Sequence, residues 1–234
     1  MTTDTTEKGL ESLIVAAMTG TTEPLPCPPD EVCEPPLPFE VPGWIQGDPR
    51  DYDRGHAIDL SQLRHFLQAT QPLVIPSLGL DSDNPTRQKF LARLQGEVTK
   101  RGTIDVLRNG IKHGPYHIDL FYGIPSPDNA KAIEHFQQNR FSVTRQLRYS
   151  RDETQLALDL CLFINGLPVA TFELKNSLTK QTVDDAIQQY KRDRDPKELL
   201  FEFGRCIVHF AVDDQEVRFC THLKGKDSWF LPFN

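Results

Sequence analysis

Apolar residues recur along this chain at two different periods, and the change between them organises the reading. In the first part the spacing is helical. Residues 7–18, "EKGLESLIVAAM", place Leu10, Leu13, Ile14 and Ala17 on one face of a short helix, with Glu7 and Glu11 one turn apart. Helical patterns return at 59–69, 85–100 and 103–109; Pro85 suits a first helical turn and Gly110 a C-terminal stop. "YHIDLFYGI" (116–124) predicts a strand, and "SPDNAKAIEHFQQN" (126–139) a helix capped by Ser126. From Phe141 the period drops to two. "FSVTRQLRY" (141–149) alternates, and "LALDLCLFI" (156–164), Asn165-Gly166 and "LPVATFELK" (167–175) predict a hairpin by turn chemistry. An amphipathic helix over 182–194, with Val183, Ala186, Ile187 and Tyr190 on one stripe, precedes two further strands in "RCIVHFAVD" (205–213) and "EVRFCTH" (216–222).

Between the first helix and the rest lies "EPLPCPPDEVCEPPLPFEVPG", whose prolines exclude regular helix or sheet interior. The expected organisation is an N-terminal helix within residues 1–20, a proline-rich loop over 21–43, and the remainder of a single domain over 44–234.

Composition narrows the chemistry. No apolar run approaches the roughly 20 residues that span a bilayer, and the N-terminus lacks a signal-peptide pattern, so a cytoplasmic protein is expected. Five cysteines without CxxC spacing argue against zinc and against a disulfide framework; Cys161 and Cys206 read as buried thiols. His113 and His117 have helical spacing, but Gly114 and Pro115 between them exclude a helix. The formal charge of -7 argues against a domain that holds DNA alone. Phosphate contacts would be local, helped by divalent cations, or supplied by other chains.

The chemistry-bearing residues lie in the hairpin. Parity puts Asp159, Cys161 and Phe163 on one face with Thr171, Glu173 and Lys175, among small and apolar groups. Register sets a condition. A two-residue Asn-Gly loop places Asp159 opposite Phe172, so bringing it level with Glu173 needs one extra residue. A bulge or longer loop around Ile164–Leu167 is therefore expected. Two adjacent carboxylates repel unless a cation sits between them, and oxygen ligands suit Mg²⁺ or Mn²⁺. Such an ion can polarise a phosphate, and Lys175 could orient a water or neutralise developing charge. The plainer alternative is a Glu173–Lys175 ion pair on an edge strand.

The surroundings add a resemblance. "LDLCLFINGLPVATFELKN" followed by "QTVDDAIQQYKRDRDP" is similar to the nuclease domain in the R subunit of type I restriction enzymes. The likeness takes in "TEKGLESLI", "GDPRDYDRGHAIDLSQLRHFLQATQP", "NRFSVTRQLRYS" and "RCIVHFAVD" through "FLPFN". It implies an α/β fold of the PD-(D/E)XK superfamily, a restriction-endonuclease-like core with a mixed central β-sheet flanked by helices. It also implies Mg²⁺-dependent endonucleolytic cleavage of double-stranded DNA, as in a type I site-specific deoxyribonuclease. By the resemblance, Asp159 and Glu173 match the metal-binding acids, Lys175 the catalytic lysine, and Leu174 would offer its backbone carbonyl to the metal. Glu11 resembles an acid turned toward the site from the first helix.

The departures are as specific. Many R subunits carry a glutamine four residues before a tyrosine in the helix after the lysine; Tyr190 fits the tyrosine, but residue 186 is alanine, and Gln189 is expected to point elsewhere. Candidate DNA contacts are Arg140, Arg145, Lys180, Tyr190, Lys191 and Arg192, with Arg194 beside them. Partner modification and specificity subunits are implied, with sequence recognition left to the latter. "LKGKDS" is not a phosphate loop, so ATP would act only through a translocase region not present in this chain, which reads as an N-terminal fragment or a truncated gene product. The rivals are another PD-(D/E)XK exonuclease or repair nuclease, and a truncated, inactive docking module.

Overall fold

The computed structural model describes residues 7–20, 39–152, 155–176 and 180–233; most of the proline-rich stretch lies outside them. The strands are β1 (Trp44–Gln46), β2 (Tyr52–Asp53), β3 (Ile58–Asp59), β4 (Ile111–His113), β5 (Tyr116–Ile118), β6 (Phe141–Arg148), β7 (Ala157–Ile164), β8 (Leu167–Leu174), β9 (Val208–Val212), β10 (Val217–Cys220) and β11 (Leu231–Pro232). The helices are α1 (Glu7–Met18), α2 (Leu60–Thr70), α3 (Ile75–Leu78), α4 (Pro85–Arg101), α5 (Thr103–Asn109), α6 (Ala130–Gln137) and α7 (Val183–Arg192).

Seven strands form one mixed sheet in the order β1-β6-β7-β8-β9-β10-β11. The β1–β6 and β8–β9 pairs are parallel, and the β6–β7, β7–β8, β9–β10 and β10–β11 pairs antiparallel. Helices flank this sheet, the mixed α/β architecture that the resemblance implies. Among the described residues no helix is long and apolar enough to cross a membrane.

Three layers of apolar side chains fix the helices around the hairpin. On one face, Leu10, Ile14, Val15 and Met18 of α1 meet Val143, Leu160, Phe172 and Leu174. This stripe is rotated from the expected one: Leu13 is exposed, and the inward position falls to Glu11, which is buried. Partners for the Glu11 carboxylate, described below, account for the rotation. On the other face, Val183, Ala186 and Ile187 of α7 pack on Ala211, and Tyr190 joins Cys161, Phe163 and Phe201. The expected stripe of α7 is the buried one, and a capping box of Thr182 and Asp185 starts the helix. Around the hairpin's turn, α2, α4 and α5 enclose a core that includes Leu63, Phe66, Phe90, Leu94 and Val106 together with Leu167 and Val169 of β8.

Several local expectations shift. The strand over 116–124 shortens to β5, paired with β4. Beyond Ile118 the segment belongs to no strand, and side-chain amides take up its backbone groups. Gln71 exchanges two hydrogen bonds with the backbone of Asp119, and Asn139 does the same with Tyr122. The helix α6 is capped by Asn129, whose side chain accepts from Ala132 N, rather than by Ser126. Pro85 opens α4 and Gly110, at φ 58°, ends α5, as their chemistry requires. Cys161, Cys206 and Cys220 are free, buried thiols.

Candidate active site

The hairpin turn is a two-residue loop with Asn165 at φ 50° and Gly166 at φ 85°, the mirror-image turn that Asn-Gly favours. Asn165 is locked by its own side chain, which donates to Leu120 O and Asn139 Oδ1 at 2.9 Å and accepts from Arg140 N at 2.6 Å. Past the turn, Ile164 faces Leu167 and Phe163 faces Pro168, but Leu162 faces Ala170. Val169 is the extra residue. This bulge lies next to the interval where an irregularity was expected, and its effect is the one required. The shifted register runs on through Leu160 and Phe172, and one step further it brings Asp159 level with Glu173.

At that step the strands part. Asp159 Oδ2 accepts a hydrogen bond from Leu174 N at 2.7 Å, so a side-chain carboxylate stands in for a ladder carbonyl. Glu173, level with it, has no exposure at all. Arg194 Nε donates to Glu173 Oε1 at 2.6 Å, and Gln189 Nε2 donates to Oε2 at 2.8 Å. Burial pushes the Glu173 carboxyl upward; Arg194 pulls against this, neighbouring Asp159 adds to the rise, and Lys175 opposes it. The two donors thus favour the ionised form that desolvation resists. Lys175 is buried beyond the end of β8, its backbone N bonded to Val212 O at 2.8 Å.

Glu11 enters from α1. Its Oε1 accepts from Arg145 Nε and its Oε2 from Gln146 Nε2 at 2.8 Å, and the same Gln146 nitrogen reaches Asp159 Oδ1 at 3.3 Å. Behind the site, Thr171 Oγ1 lies 2.8 Å from Tyr190 Oη and 2.7 Å from His209 Nδ1, all three buried. Burial pushes the His209 imidazole down to about 3, so it stands there neutral.

The DNA-contact candidates divide. Tyr190 has no exposed surface and is a wall of the site rather than a surface contact. Arg145 is committed to Glu11 and Ser12. Arg140 donates to Gln62 Oε1 at 2.6 Å beside the hairpin turn, whose Asn165 stands six residues after Asp159 and so roughly 20 Å along the strand from it. Lys180 and Arg192 are exposed and Lys191 half-buried.

Sequence reasoning missed two groups that hold Glu173. Gln189 was expected to point away from the stripe of Ala186, yet three residues on a helix is only 60° off, adjacent rather than opposite. Arg194, grouped with the candidate DNA contacts, stands four residues after Tyr190 in the same periodic row. Its guanidinium is buried against Glu173, Tyr149 Oη and Ala157 O. That spacing was the available signal.

No group of three or more His, Cys, Asp or Glu side chains among the described residues could hold a metal ion unaided. An ion here would need Asp159 and Glu173 completed by a backbone carbonyl and water, which is how Mg²⁺ is usually bound. The all-oxygen donors and the mutual repulsion of the two acids fit a hard divalent cation.

Comparison with known proteins gives the family. The chain is 28% identical over 102 residues to a putative type I restriction enzyme MjaIXP endonuclease subunit of Methanocaldococcus jannaschii, covering 42% of the chain and 10% of that protein. It is 34% identical over 79 residues to the type I restriction enzyme HindI endonuclease subunit of Haemophilus influenzae, covering 32% of the chain and 7% of that protein. The chain thus matches only a small share of these relatives' length. The family model described as type I restriction enzyme R protein N terminus matches residues 78–228, which include the hairpin, α7, β9 and β10, and the chain belongs to that family.

Proposed function

We propose that this chain is the nuclease part of a type I restriction R subunit, with a PD-(D/E)XK site that hydrolyses phosphodiesters of double-stranded DNA. The observation that carries this reading is the bulged hairpin. It brings Asp159 level with Glu173, with Lys175 just beyond its end, in a chain of this family.

Asp159, Glu173 and the Leu174 carbonyl would hold Mg²⁺, or Mn²⁺ in its place. When bound, such an ion polarises a phosphate and lowers the pKa of water. The protein's own groups do the rest. Arg194 and Gln189 hold the two oxygens of Glu173 in one orientation, and Leu174 N holds Asp159. The Lys175 ammonium, whose charge reaches Glu173, orients the attacking water and offsets negative charge that grows on the phosphate. The modification and specificity subunits bring the DNA and choose the sequence, in keeping with the chain's net charge of -7.

The test is Lys175→Ala in a restriction complex assembled around this chain. The variant should retain Mn²⁺ binding and lose duplex cleavage; undiminished cleavage would remove the mechanism.

A further inference from the structure

The backbone of Gln146 lies in the left-handed region, at φ 48°, inside β6. Its neighbours pair regularly with β7, Arg145 with Leu160 and Leu147 with Leu158; Gln146 is the intervening step and faces Asp159. An L-residue held there costs about 1–2 kcal/mol, and an antiparallel ladder does not need it. Strain of this kind persists where the surroundings require it. What this backbone achieves is the aim of one side chain.

The Gln146 amide nitrogen has two hydrogens and two acceptors, Glu11 Oε2 at 2.8 Å and Asp159 Oδ1 at 3.3 Å. Glu11 is buried, its other oxygen is held by Arg145 Nε, and Arg145 Nη2 donates to Ser12 Oγ at 3.1 Å. A continuous set of contacts therefore runs from α1 through Glu11 and Gln146 to Asp159, and on to Leu174 N. Both carboxylate oxygens of Asp159 are gripped, one from each neighbouring strand.

We propose that Gln146 is a positioning residue for Asp159, and that Glu11 anchors the Gln146 amide instead of meeting the ion itself. This rests on the reading of Asp159 as an ion ligand. The N-terminal helix then governs the site by fixing the rotamer of one acid. Groups that orient a metal-binding side chain commonly govern affinity about ten- to hundredfold.

Glycine adopts the Gln146 backbone without penalty, so Gln146→Gly removes the side chain while relieving the strain. Mn²⁺ titration by calorimetry on the full chain should show affinity lower by about ten- to hundredfold, with an unchanged or higher melting temperature. Glu11→Gln keeps an acceptor for the amide and should bind Mn²⁺ almost as the parent does, whereas loss as deep as in Asp159→Asn would make Glu11 a ligand and overturn the proposal. Parent-like affinity in Gln146→Gly beside loss in Asp159→Asn overturns the positioning role alone. Mn²⁺ binding that ignores Asp159→Asn overturns both this inference and the nuclease reading.

Discussion

Arg194 donates from Nε to Glu173 Oε1 at 2.6 Å, with the Arg194 side chain 4% and the Glu173 side chain 0% exposed. Removing one member of such a pair strands a charge in the interior, at a cost of about 3–5 kcal/mol. Arg194→Met and Glu173→Gln should each lower the urea-unfolding free energy by an amount of that order. The double variant should recover part of the loss, because neither charge is then left alone. A single variant with parental stability would mean that the pair is not formed in solution. It also follows that Glu173 is a poor site for a clean loss-of-cleavage variant, and Lys175 a better one.

The buried row of Tyr190, Thr171 and His209 makes stability depend on pH. Burial holds the folded pKa of His209 down at about 3, against 6.5 when unfolded. Between these values the unfolded chain binds a proton that the folded chain refuses. The His209 contribution is therefore complete above about pH 6.5 and is lost as pH falls toward 3, by up to about 1.4 kcal/mol per unit. Chemical denaturation at a series of pH values should show His209→Gln with a shallower acid loss than the parent. Parallel curves would contradict a neutral, buried His209.

Gly166 has φ 85°, and a Cβ there would lie 2.4 Å from Asp59 O and 2.8 Å from Leu63 N. Gly166→Ala meets both an unfavourable backbone and a clash with backbone atoms. Its loss of stability should exceed about 1 kcal/mol in thermal or urea unfolding. Because this turn sets the β7–β8 register, Mn²⁺ binding should weaken as well. A variant as stable as the parent would place the turn elsewhere.

These outcomes depend on features of unequal legibility in the sequence. The hairpin was legible because alternation and Asn-Gly are local signals. The need for an extra residue followed from counting between Asp159 and Glu173, although counting could not assign it to Val169. The stripe of α7 was legible from its period. Arg194 was placed among the candidate DNA contacts because a basic group among alternating charges at a helix end gives no sign of burial. Its partner Glu173 is 21 residues away. Gln146 gave no signal, since a left-handed turn of backbone inside an alternating strand is imposed by what the side chain reaches. The stripe of α1 was misjudged for a similar reason: the partners of Glu11 are 134 and 135 residues distant in the chain and draw an acid inward at the expense of Leu13. The strand β1 has only three residues beside a proline-rich stretch, too few for a period to show.

The central claim is that the Val169 bulge makes one cation site out of Asp159 and Glu173. Crystals of the chain soaked in Mn²⁺ test it most directly through anomalous scattering. The account predicts a single peak about 2.1 Å from a carboxylate oxygen of each acid, and its absence from crystals of Asp159→Asn. A peak bound elsewhere, or none beside these two residues at saturating Mn²⁺, would contradict it.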